Sequence, residues 1–272
     1  MNIVEGSFTG SDGVEFYTMT VSGDSPKYDL LHVHGLGEHS QRWTERFEQL
    51  ARRGARVTSF DLRGHGQSSG PRMHIDSFQH LVDDVGELAL ATAAATGRPW
   101  VLYGHSLGGL IVTSYLVDSH TPMPNIAVIS APALGDGTPA IKKAAASLLG
   151  GIIPSVTMKT PIAGEQLSSN PKVGEDYSAD PLVQQFGSIG FGKLVFAEQK
   201  RVSSLVGNIT IPALVIHGAD DTLVPTSASA PLAKSISVER KVYPGFRHEL
   251  HFEDDGDRVI GDIGDWIDAK IG

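Results

Sequence analysis

Short apolar runs alternate with amphipathic stretches along most of the chain. Brief runs rich in Val, Ile, Leu and Phe are typical of buried strands, and apolar residues three and four positions apart are typical of helices. The pattern predicts strands at 30–33, 55–60, 100–103, 126–129, 213–216 and 240–243, and helices at 41–53, 77–96, 109–116 and 258–269. Residues 14–19 follow a Ser-Asp-Gly turn and predict a strand of an antiparallel edge hairpin.

This alternation of strands and helices predicts an α/β fold. Strands that are separated by helices pair in parallel, with helices on both faces of the sheet. We therefore expect a mostly parallel central sheet flanked by helices, of the doubly wound type. Ligands of such sheets bind at the carboxyl ends of the strands, so the candidate chemistry should lie in the loops that follow them.

One interval interrupts the alternation. From Pro132 to about Gly207 the chain is far longer than an ordinary crossover requires. We expect a helical cap inserted after the sixth strand, which divides the chain into core residues 1–132, cap residues 133–206 and core residues 207–272. Its apolar residues at helical spacing either pack the cap on the sheet or form the wall of an apolar substrate pocket. These residues are Ile141, Ala145, Leu148, Leu149 and Ile152, and Phe191, Leu194, Val195, Val202 and Leu205.

Composition narrows the possible partners. The 272 residues carry a formal net charge of −9 and no dense run of Lys or Arg, which argues against binding to nucleic acid. The absence of cysteine excludes disulfides, thiolate metal sites and cysteine nucleophiles. The scattered histidines form no metal-binding motif, so we expect no metal. Without a signal-peptide pattern or an apolar run long enough to span a bilayer, the sequence predicts a cytoplasmic protein.

The segment GHSLG, residues 104–108, carries the strongest chemical signal. It follows one predicted strand and precedes a predicted helix. A serine in this pattern lies on a sharp strand-to-helix turn, the nucleophile elbow, where its hydroxyl meets a base and backbone donors. The flanking strand and helix distinguish the match from a glycine-rich surface turn. We therefore predict Ser106 as the catalytic nucleophile.

A serine nucleophile needs a histidine base and a carboxylate that orients the base, in the chain order Ser, acid, His where an elbow is present. Loops after the last two predicted strands supply both. Asp221 is preferred over the adjacent Asp220 as the acid, because it fits a G-x-x-D-x-x-V pattern. His248 is preferred over His251 as the base, because it lies nearer the end of the last strand.

Backbone N–H groups are the predicted donors to the oxyanion that forms when the serine attacks an ester. The N–H of Leu107, beside the nucleophile, is the first candidate. The N–H of Leu36 is the second, and it lies in the glycine-rich turn after the first parallel strand. That turn could also serve merely to join a strand to a helix.

Other polar residues receive structural interpretations. His105 is predicted to pack beneath the elbow, and His32 and His217 are predicted to be strand residues with satisfied hydrogen bonds. The loop DLRGHGQS places an acid, a base and a hydroxyl close together and so imitates a catalytic cluster. We interpret it as a scaffold, in which Asp61 and Arg63 hold neighbouring loops through buried hydrogen bonds.

Together these motifs resemble those of the α/β-hydrolases and, more narrowly, of the bacterial monoacylglycerol lipases and related lysophospholipases. The resemblance covers nearly the whole chain. Its carriers are HGLGEH at 34–39, DLRGHG at 61–66, GHSLGG at 104–109, SAP at 130–132, DPL at 180–182, HGADD at 217–221 and HE at 248–249. It implies the same site: Ser106 as nucleophile, Asp221 as acid, His248 as base, and Leu36 and Leu107 as oxyanion donors. It also implies a cap over an acyl-chain tunnel.

We therefore expect a serine ester hydrolase whose substrate is a single-chain lipid ester, a monoacylglycerol, cleaved to glycerol and a fatty acid through an acyl-enzyme. The resemblance implies no cofactor. The alternatives within enzymes are a lysophospholipase, a general carboxylesterase and a peptidase of the same fold. The alternative outside enzymes is a catalytically silent lipid-binding receptor, against which the intact Ser, Asp and His set argues. Transient contact of an apolar cap tip with a membrane surface is a further hypothesis.

Overall fold

An eight-stranded sheet organises the computed structural model, which describes residues 1–135, 148–160 and 162–271. The strand order is β1-β2-β4-β3-β5-β6-β9-β10. The first two strands form an antiparallel hairpin, β2 pairs with β4 antiparallel, and all the remaining pairs are parallel. The strands are β1 (Asn2–Thr9), β2 (Glu15–Ser22), β3 (Tyr28–Val33), β4 (Ala55–Phe60), β5 (Trp100–His105), β6 (Ile126–Ser130), β9 (Ala213–Gly218) and β10 (Val238–Tyr243).

Helices cover both faces of this sheet. They are α1 (Thr44–Arg52), α2 (Gln79–Ala91), α3 (Leu107–Val117), α6 (Ile189–Ser203) and α7 (Gly256–Ile271), while the buried side chains of α4 (Gly164–Leu167) and α5 (Pro171–Ala179) belong to a separate small cluster. Apolar residues of α2 and α3 join one buried cluster with one face of the sheet, and those of α1 and α7 join a second cluster with the other face. The predicted mostly parallel sheet with flanking helices is confirmed.

Two of the predicted helices are shorter than expected. The predicted helix 41–53 opens as a 3₁₀ turn, Ser40–Trp43, before α1 begins. The predicted helix 77–96 is α2 followed by a break at Thr92, whose hydroxyl donates to the carbonyl of Leu88 at 2.6 Å. A side-chain hydrogen bond of this kind competes with continued helix and helps to end it despite the alanine-rich sequence.

The segment between β6 and β9 holds more than the helices that its sequence predicted. Strands β7 (Thr157–Lys159) and β8 (Phe186–Ser188) form a separate antiparallel sheet. In the sequence, α4 and α5 lie between these two strands, and α6 follows β8. Residues 148–152 are helical as well. We call this segment the cap and propose residues 133 and 206 as its limits.

The apolar residues of the cap divide into different roles. Phe191 and Val202 of α6 are buried in the core cluster on one face of the sheet, so core packing explains them. Leu148, Leu149 and Ile152 are exposed, so core packing does not explain their spacing. The predicted positions Ile141 and Ala145 lie outside the described residues. None of the described helices is both long enough and apolar enough to cross a bilayer.

Candidate active site

Ser106 lies on a strained turn between β5 and α3. Its backbone has φ 53° and ψ −113°, a conformation that non-glycine residues rarely adopt. The turn closes only because two flanking residues lack side chains: a Cβ on Gly104 would lie 2.3 Å from the carbonyl oxygen of Gly108, and a Cβ on Gly108 would lie 2.1 Å from that of Val33. This is the geometry of a nucleophile elbow.

The structure brings Ser106 together with the predicted base and acid. The distance between Ser106 Oγ and His248 Nε2 is 2.8 Å, and that between His248 Nδ1 and Asp221 Oδ2 is 2.7 Å. Asp221 Oδ1 accepts the N–H groups of Leu223 and Val224 at 2.9 and 2.8 Å, which fixes the carboxylate. The arrangement can carry a proton from the serine hydroxyl to an imidazole that a buried carboxylate orients.

The rival residues lie elsewhere. Asp220 is exposed to solvent, whereas Asp221 is buried. His251 lies in the next turn, where it is fully buried and its Nε2 contacts the hydroxyl of Tyr103. Burial lowers the pKa of His251 to about 3, so its imidazole is neutral.

The electrostatics of the acid and the base favour this proton relay. Burial opposes ionisation of Asp221, but His248, His217 and the N–H of Val224 outweigh it and hold the pKa of the carboxyl well below its usual range. Burial also opposes protonation of His248, yet Asp221, with weaker contributions from Glu249 and Glu38, raises the pKa of the imidazole above its ordinary 6.5. His248 is therefore a stronger base than a free histidine.

The peptide that carries the N–H of Leu36 is held by a neutral histidine. His34 Nε2 accepts the N–H of Leu62 at 2.9 Å, so the ring proton is on Nδ1, which donates to the carbonyl of Gly35 at 2.8 Å. Burial lowers the pKa of His34 to about 4 and keeps the ring neutral, and the two hydrogen bonds select the tautomer. Because the peptide bond is planar, fixing the Gly35 carbonyl also fixes the direction of the Leu36 N–H.

The other candidate donor, the N–H of Leu107, lies at the start of helix α3. Leu107 is the first residue of that helix, so its N–H has no acceptor within it. The partial positive charge of a helix N-terminus adds to its attraction for an oxyanion. Leu36, Ser106 and Leu107 all line one cavity, so both candidate donors belong to residues of the pocket that holds the hydroxyl.

Two cavities of different size and polarity meet at Ser106. The larger has a volume of about 600 Å³ and lies between the cap and the core. Its apolar lining includes Leu36, Leu107, Ile162, Phe191, Val195 and Leu223. The smaller has a volume of about 20 Å³ and a mixed lining: the polar side chains of Glu38, His105, Ser106, Tyr177, His248 and Glu249, and the apolar ones of Leu36, Ile162, Leu167 and Leu223. One wall of the site thus suits a hydrocarbon chain and the other suits hydroxyl groups or water.

The family assignment follows from a comparison with family models. The model of Hydrolase_4, described as serine aminopeptidase, S33, matches residues 24–255. The chain belongs to this family. It is a serine hydrolase with the α/β-hydrolase fold.

Relatives within this hydrolase family include lipases. The chain is 31% identical to a monoacylglycerol lipase of Mycolicibacterium smegmatis, over 98% of each sequence. It is 30% identical to the monoglyceride lipase of Homo sapiens, over 90% of this chain and 84% of that enzyme. Among solved structures, the monoacylglycerol lipase of Paleococcus ferrophilus superposes with a TM-score of 0.85 at 29% identity, covering 94% of this chain and 99% of that one.

One buried network of this hydrolase has no counterpart in the sequence predictions. Arg42 donates to Glu38 at 2.9 Å and to both oxygens of Glu249 at 2.7 and 2.9 Å, and Glu38 also accepts the N–H of Gly35 at 2.6 Å. The network joins the turn that carries Leu36 to the loop that carries the base. Its one sequence signal was the spacing of Glu38 and Arg42, four residues apart.

The remaining predictions have mixed outcomes. Asp61 accepts hydrogen bonds from the backbone of Ser40 and Gln67, both at 2.8 Å, which is the predicted scaffold role. Arg63 donates to Asp84 of α2 at 2.7 Å and pairs with Asp12, between β1 and β2, at 3.0 Å, so it also has the predicted scaffold role.

Three histidines that were predicted to have structural roles, His32, His105 and His217, lie buried in strands. His105 packs below the elbow with Nδ1 3.2 Å from the Ser130 hydroxyl, as predicted. His217 is satisfied, as predicted, and its Nε2 also donates to Asp221 at 3.2 Å. The prediction for His32 is half wrong, because its ring packs among aromatic side chains and its Nε2 has no partner within the described residues.

Proposed function

We propose that this hydrolase cleaves monoacylglycerols to glycerol and a fatty acid through an acyl-enzyme on Ser106. The observation that carries the proposal is a serine hydroxyl, hydrogen-bonded to a histidine, at which a large apolar cavity meets a small space flanked by Glu38 and Glu249. The named activities of the relatives at 30% identity or more support it.

The proposed reaction has two halves. As Ser106 Oγ attacks the ester carbonyl, its proton passes to His248 Nε2, and Asp221 stabilises the imidazolium. The N–H groups of Leu36 and Leu107 bind the oxyanion. His248 then protonates the departing glycerol oxygen, leaving the acyl group on Ser106. A water molecule, activated by His248, repeats the sequence in reverse and releases the fatty acid.

The shape of the site supports a substrate with one acyl chain. The large apolar cavity accommodates one hydrocarbon chain on one side of Ser106. On the other side, Glu38, Glu249 and Tyr177 surround a space that as it stands holds about one water molecule. Glycerol requires these side chains to move apart, and a second acyl chain would place hydrocarbon against buried carboxylates. After glycerol leaves, the same space suits the hydrolytic water.

Rates on a series of esters test this proposal. The series comprises mono-, di- and triacylglycerols of one chain length, lysophosphatidylcholine, a short aryl ester and an aminoacyl arylamide. We expect kcat/KM for the monoacylglycerol to exceed that for the triacylglycerol by at least about tenfold, which is about 1.4 kcal/mol in the transition state. A preference for lysophosphatidylcholine or for the arylamide would favour a lysophospholipase or a peptidase instead. If the protein hydrolyses none of these substrates, the lipid-binding receptor becomes the favoured alternative.

The pH dependence of kcat/KM should show an acid limb. Only neutral His248 can accept the serine proton, so kcat/KM should fall as the pH is lowered. Because the pKa of His248 is raised, the midpoint of this fall should lie above pH 6.5. Replacing Asp221 by asparagine removes the largest favourable influence on this pKa, so the midpoint should move to lower pH in the residual activity. Initial rates on a short aryl ester, measured at a series of fixed pH values, give both midpoints. A flat profile down to about pH 4 would contradict the role of His248.

We also propose that the cap touches a membrane surface. Seven large apolar side chains of the cap are exposed: Leu148, Leu149, Ile152, Ile153, Val156, Met158 and Phe186. Met158 also lines the large cavity, so this apolar patch adjoins the space proposed for the acyl chain. A single-chain lipid ester partitions into bilayers, and a contact there would deliver it. A cytoplasmic location remains a prediction.

Flotation with neutral phosphatidylcholine vesicles measures this contact. Ile152→Asp should weaken vesicle binding by about tenfold or more, because one buried isoleucine contributes about 1.5–3 kcal/mol. Leu90→Asp is the matched control, since Leu90 is also exposed but lies on α2. Equal binding by both variants, or no binding by the unaltered protein, would refute the contact.

A further inference from the structure

The loop that carries His248 is fastened to one short stretch of the cap. We call residues 244–253 the base loop and residues 165–169 the cap strap. Across this boundary the Glu249 N–H donates to the carbonyl oxygen of Leu167 at 2.7 Å. The Arg247 guanidinium donates to the carbonyl oxygens of Glu165, at 2.6 Å, and Ser168, at 3.0 Å. The residues on both sides of His248 are thus bound to the cap strap.

A buried carboxylate adds further bonds between the same two segments. Glu253 of the base loop is only 4% exposed. Its Oε1 accepts the N–H of Arg247 at 2.8 Å. Its Oε2 accepts the hydroxyl of Ser168 and the N–H of Ser169, both at 2.9 Å, and also the Ser169 hydroxyl. One side chain therefore ties the residue before His248 to two residues of the cap strap.

We propose that the cap strap positions the base, with Arg247 and Glu253 as positioning residues that hold His248 within reach of the Ser106 proton. The inference rests on the proposed serine ester hydrolysis. Proton transfer depends on placement within a fraction of an ångström, and a shift of about 1 Å can lower a rate about a hundredfold. The core holds this loop through the Arg42 pair with Glu249 and the buried side chains of Phe246 and Leu250, and the cap strap adds the bonds on both sides of His248.

The cap also holds the turn on the other side of Ser106. The N–H of Gln184 donates to the carbonyl of Gly37 at 2.7 Å, and His39 donates to Asp180 at 2.8 Å. The contact is close enough that a Cβ on Gly37 would lie 2.6 Å from the Gln184 carbonyl oxygen. This turn carries Leu36, so the cap contacts both loops that the reaction requires and does more than cover a cavity.

Three explanations of the cap strap predict different results. If it only encloses the acyl chain, its loss raises KM for long-chain esters and leaves short esters unaffected. If it positions His248, its loss lowers kcat for every ester, including p-nitrophenyl acetate, whose acyl group is too short to fill the large cavity. A role in stability alone lowers the melting temperature but leaves kcat of the folded protein unchanged.

The test uses paired substitutions in the full chain. Glu253→Ala and Arg247→Ala remove the bonds, while Glu253→Gln and Arg247→Lys keep part of them. Lys172→Ala is the control, because Lys172 is an exposed residue of cap helix α5 that pairs with Asp176. We expect both alanine variants to lower kcat about 10- to 100-fold on p-nitrophenyl acetate and on a long-chain monoacylglycerol, with KM changed less than about threefold. The conservative variants should retain more than about a third of kcat.

Several outcomes would overturn the proposal. These are an unchanged kcat in folded Arg247→Ala, a defect confined to KM of the long-chain ester, and a Glu253→Gln variant as impaired as Glu253→Ala. Because the Arg247 side chain is partly exposed, its variant remains informative if Glu253→Ala fails to fold. If the unaltered protein hydrolyses neither substrate, the proposed function fails. If it hydrolyses both and Arg247→Ala matches it, only the positioning role fails.

Discussion

Replacing Ser106 by alanine is expected to lower kcat for ester hydrolysis by at least about 10⁴-fold, because the hydroxyl supplies the atom that receives the acyl group. The fold should survive. The elbow is held by backbone bonds that alanine retains, from Ser106 N–H to Ser130 and from Ala133 N–H to Ser106, both at 2.9 Å. We expect the free energy of unfolding to change by less than about 1 kcal/mol, which urea titration measures beside the kinetic assay.

Ser119→Ala is the matched control for this substitution. Ser119 lies just beyond the other end of α3, is exposed and has φ 54°, so it undergoes the same replacement at a similar positive φ. Its activity should equal that of the unaltered protein. A Ser106→Ala variant that keeps turnover within about tenfold of the unaltered protein would remove Ser106 from the mechanism.

The second large effect is a steep loss of stability in mild acid. Burial is the main cause that holds the pKa of five fully buried histidines below 6.5, to about 4 for His34 and about 3 for His65 and His251. The others are His32 and His105. Unfolding exposes these imidazoles, which then bind protons. The unfolded state therefore gains stability as the pH falls below 6.5, and the folded state loses it.

The expected slope is about four protons taken up on unfolding near pH 5.5. Each histidine contributes at most about 1.4 kcal/mol per pH unit. Asp84 offsets the proton uptake of about one histidine. Burial raises the pKa of its carboxyl to about 6 despite the pairing with Arg63, so unfolding near pH 5.5 releases a proton from it. His248 adds nothing in this range, since its raised pKa leaves it protonated in both states.

Urea unfolding at a series of pH values measures the slope. His32→Phe tests one contribution, since the ring of His32 already packs against Trp43, Phe47 and Tyr103. That variant should take up about one proton fewer on unfolding. A free energy of unfolding that stays constant between about pH 6.5 and 5 would show that the histidines are not buried in the neutral form.

The sequence was most informative where burial alone determines structure. Strand β4 has the predicted bounds, and the predictions for β6 and β9 miss only the polar or glycine residues at their ends. Strands β6 and β9 are buried on both faces, and their predicted parts are continuous apolar runs, whereas Arg56, Thr58 and Ser59 interrupt the apolar residues of β4. The sheet of β7 and β8 was missed because each strand has three residues, with no alternation to detect. The exposed cap residue Ile152 was misleading, since a helical apolar spacing on a surface looks the same as one in a core.

In the candidate site, too, local sequence patterns were informative and contacts between distant segments were not. Spacing after strands selected Ser106, Asp221 and His248, because the carboxyl ends of parallel strands converge at one edge of the sheet. Contacts between segments far apart in the chain could not be derived in this way. The Arg42 pairing with Glu249 spans 207 residues, and its geometry depends on how two loops fold rather than on any local pattern.

The position of a covalent adduct tests the relay of Ser106, His248 and Asp221 most directly. The protein is incubated with a fluorophosphonate, digested and analysed by mass spectrometry, with heat-unfolded protein and His248→Ala as controls. We predict one adduct, on Ser106, which is absent from the unfolded protein and forms far more slowly in the variant. An adduct on another residue, or ester hydrolysis that continues after complete labelling of Ser106, would contradict the account.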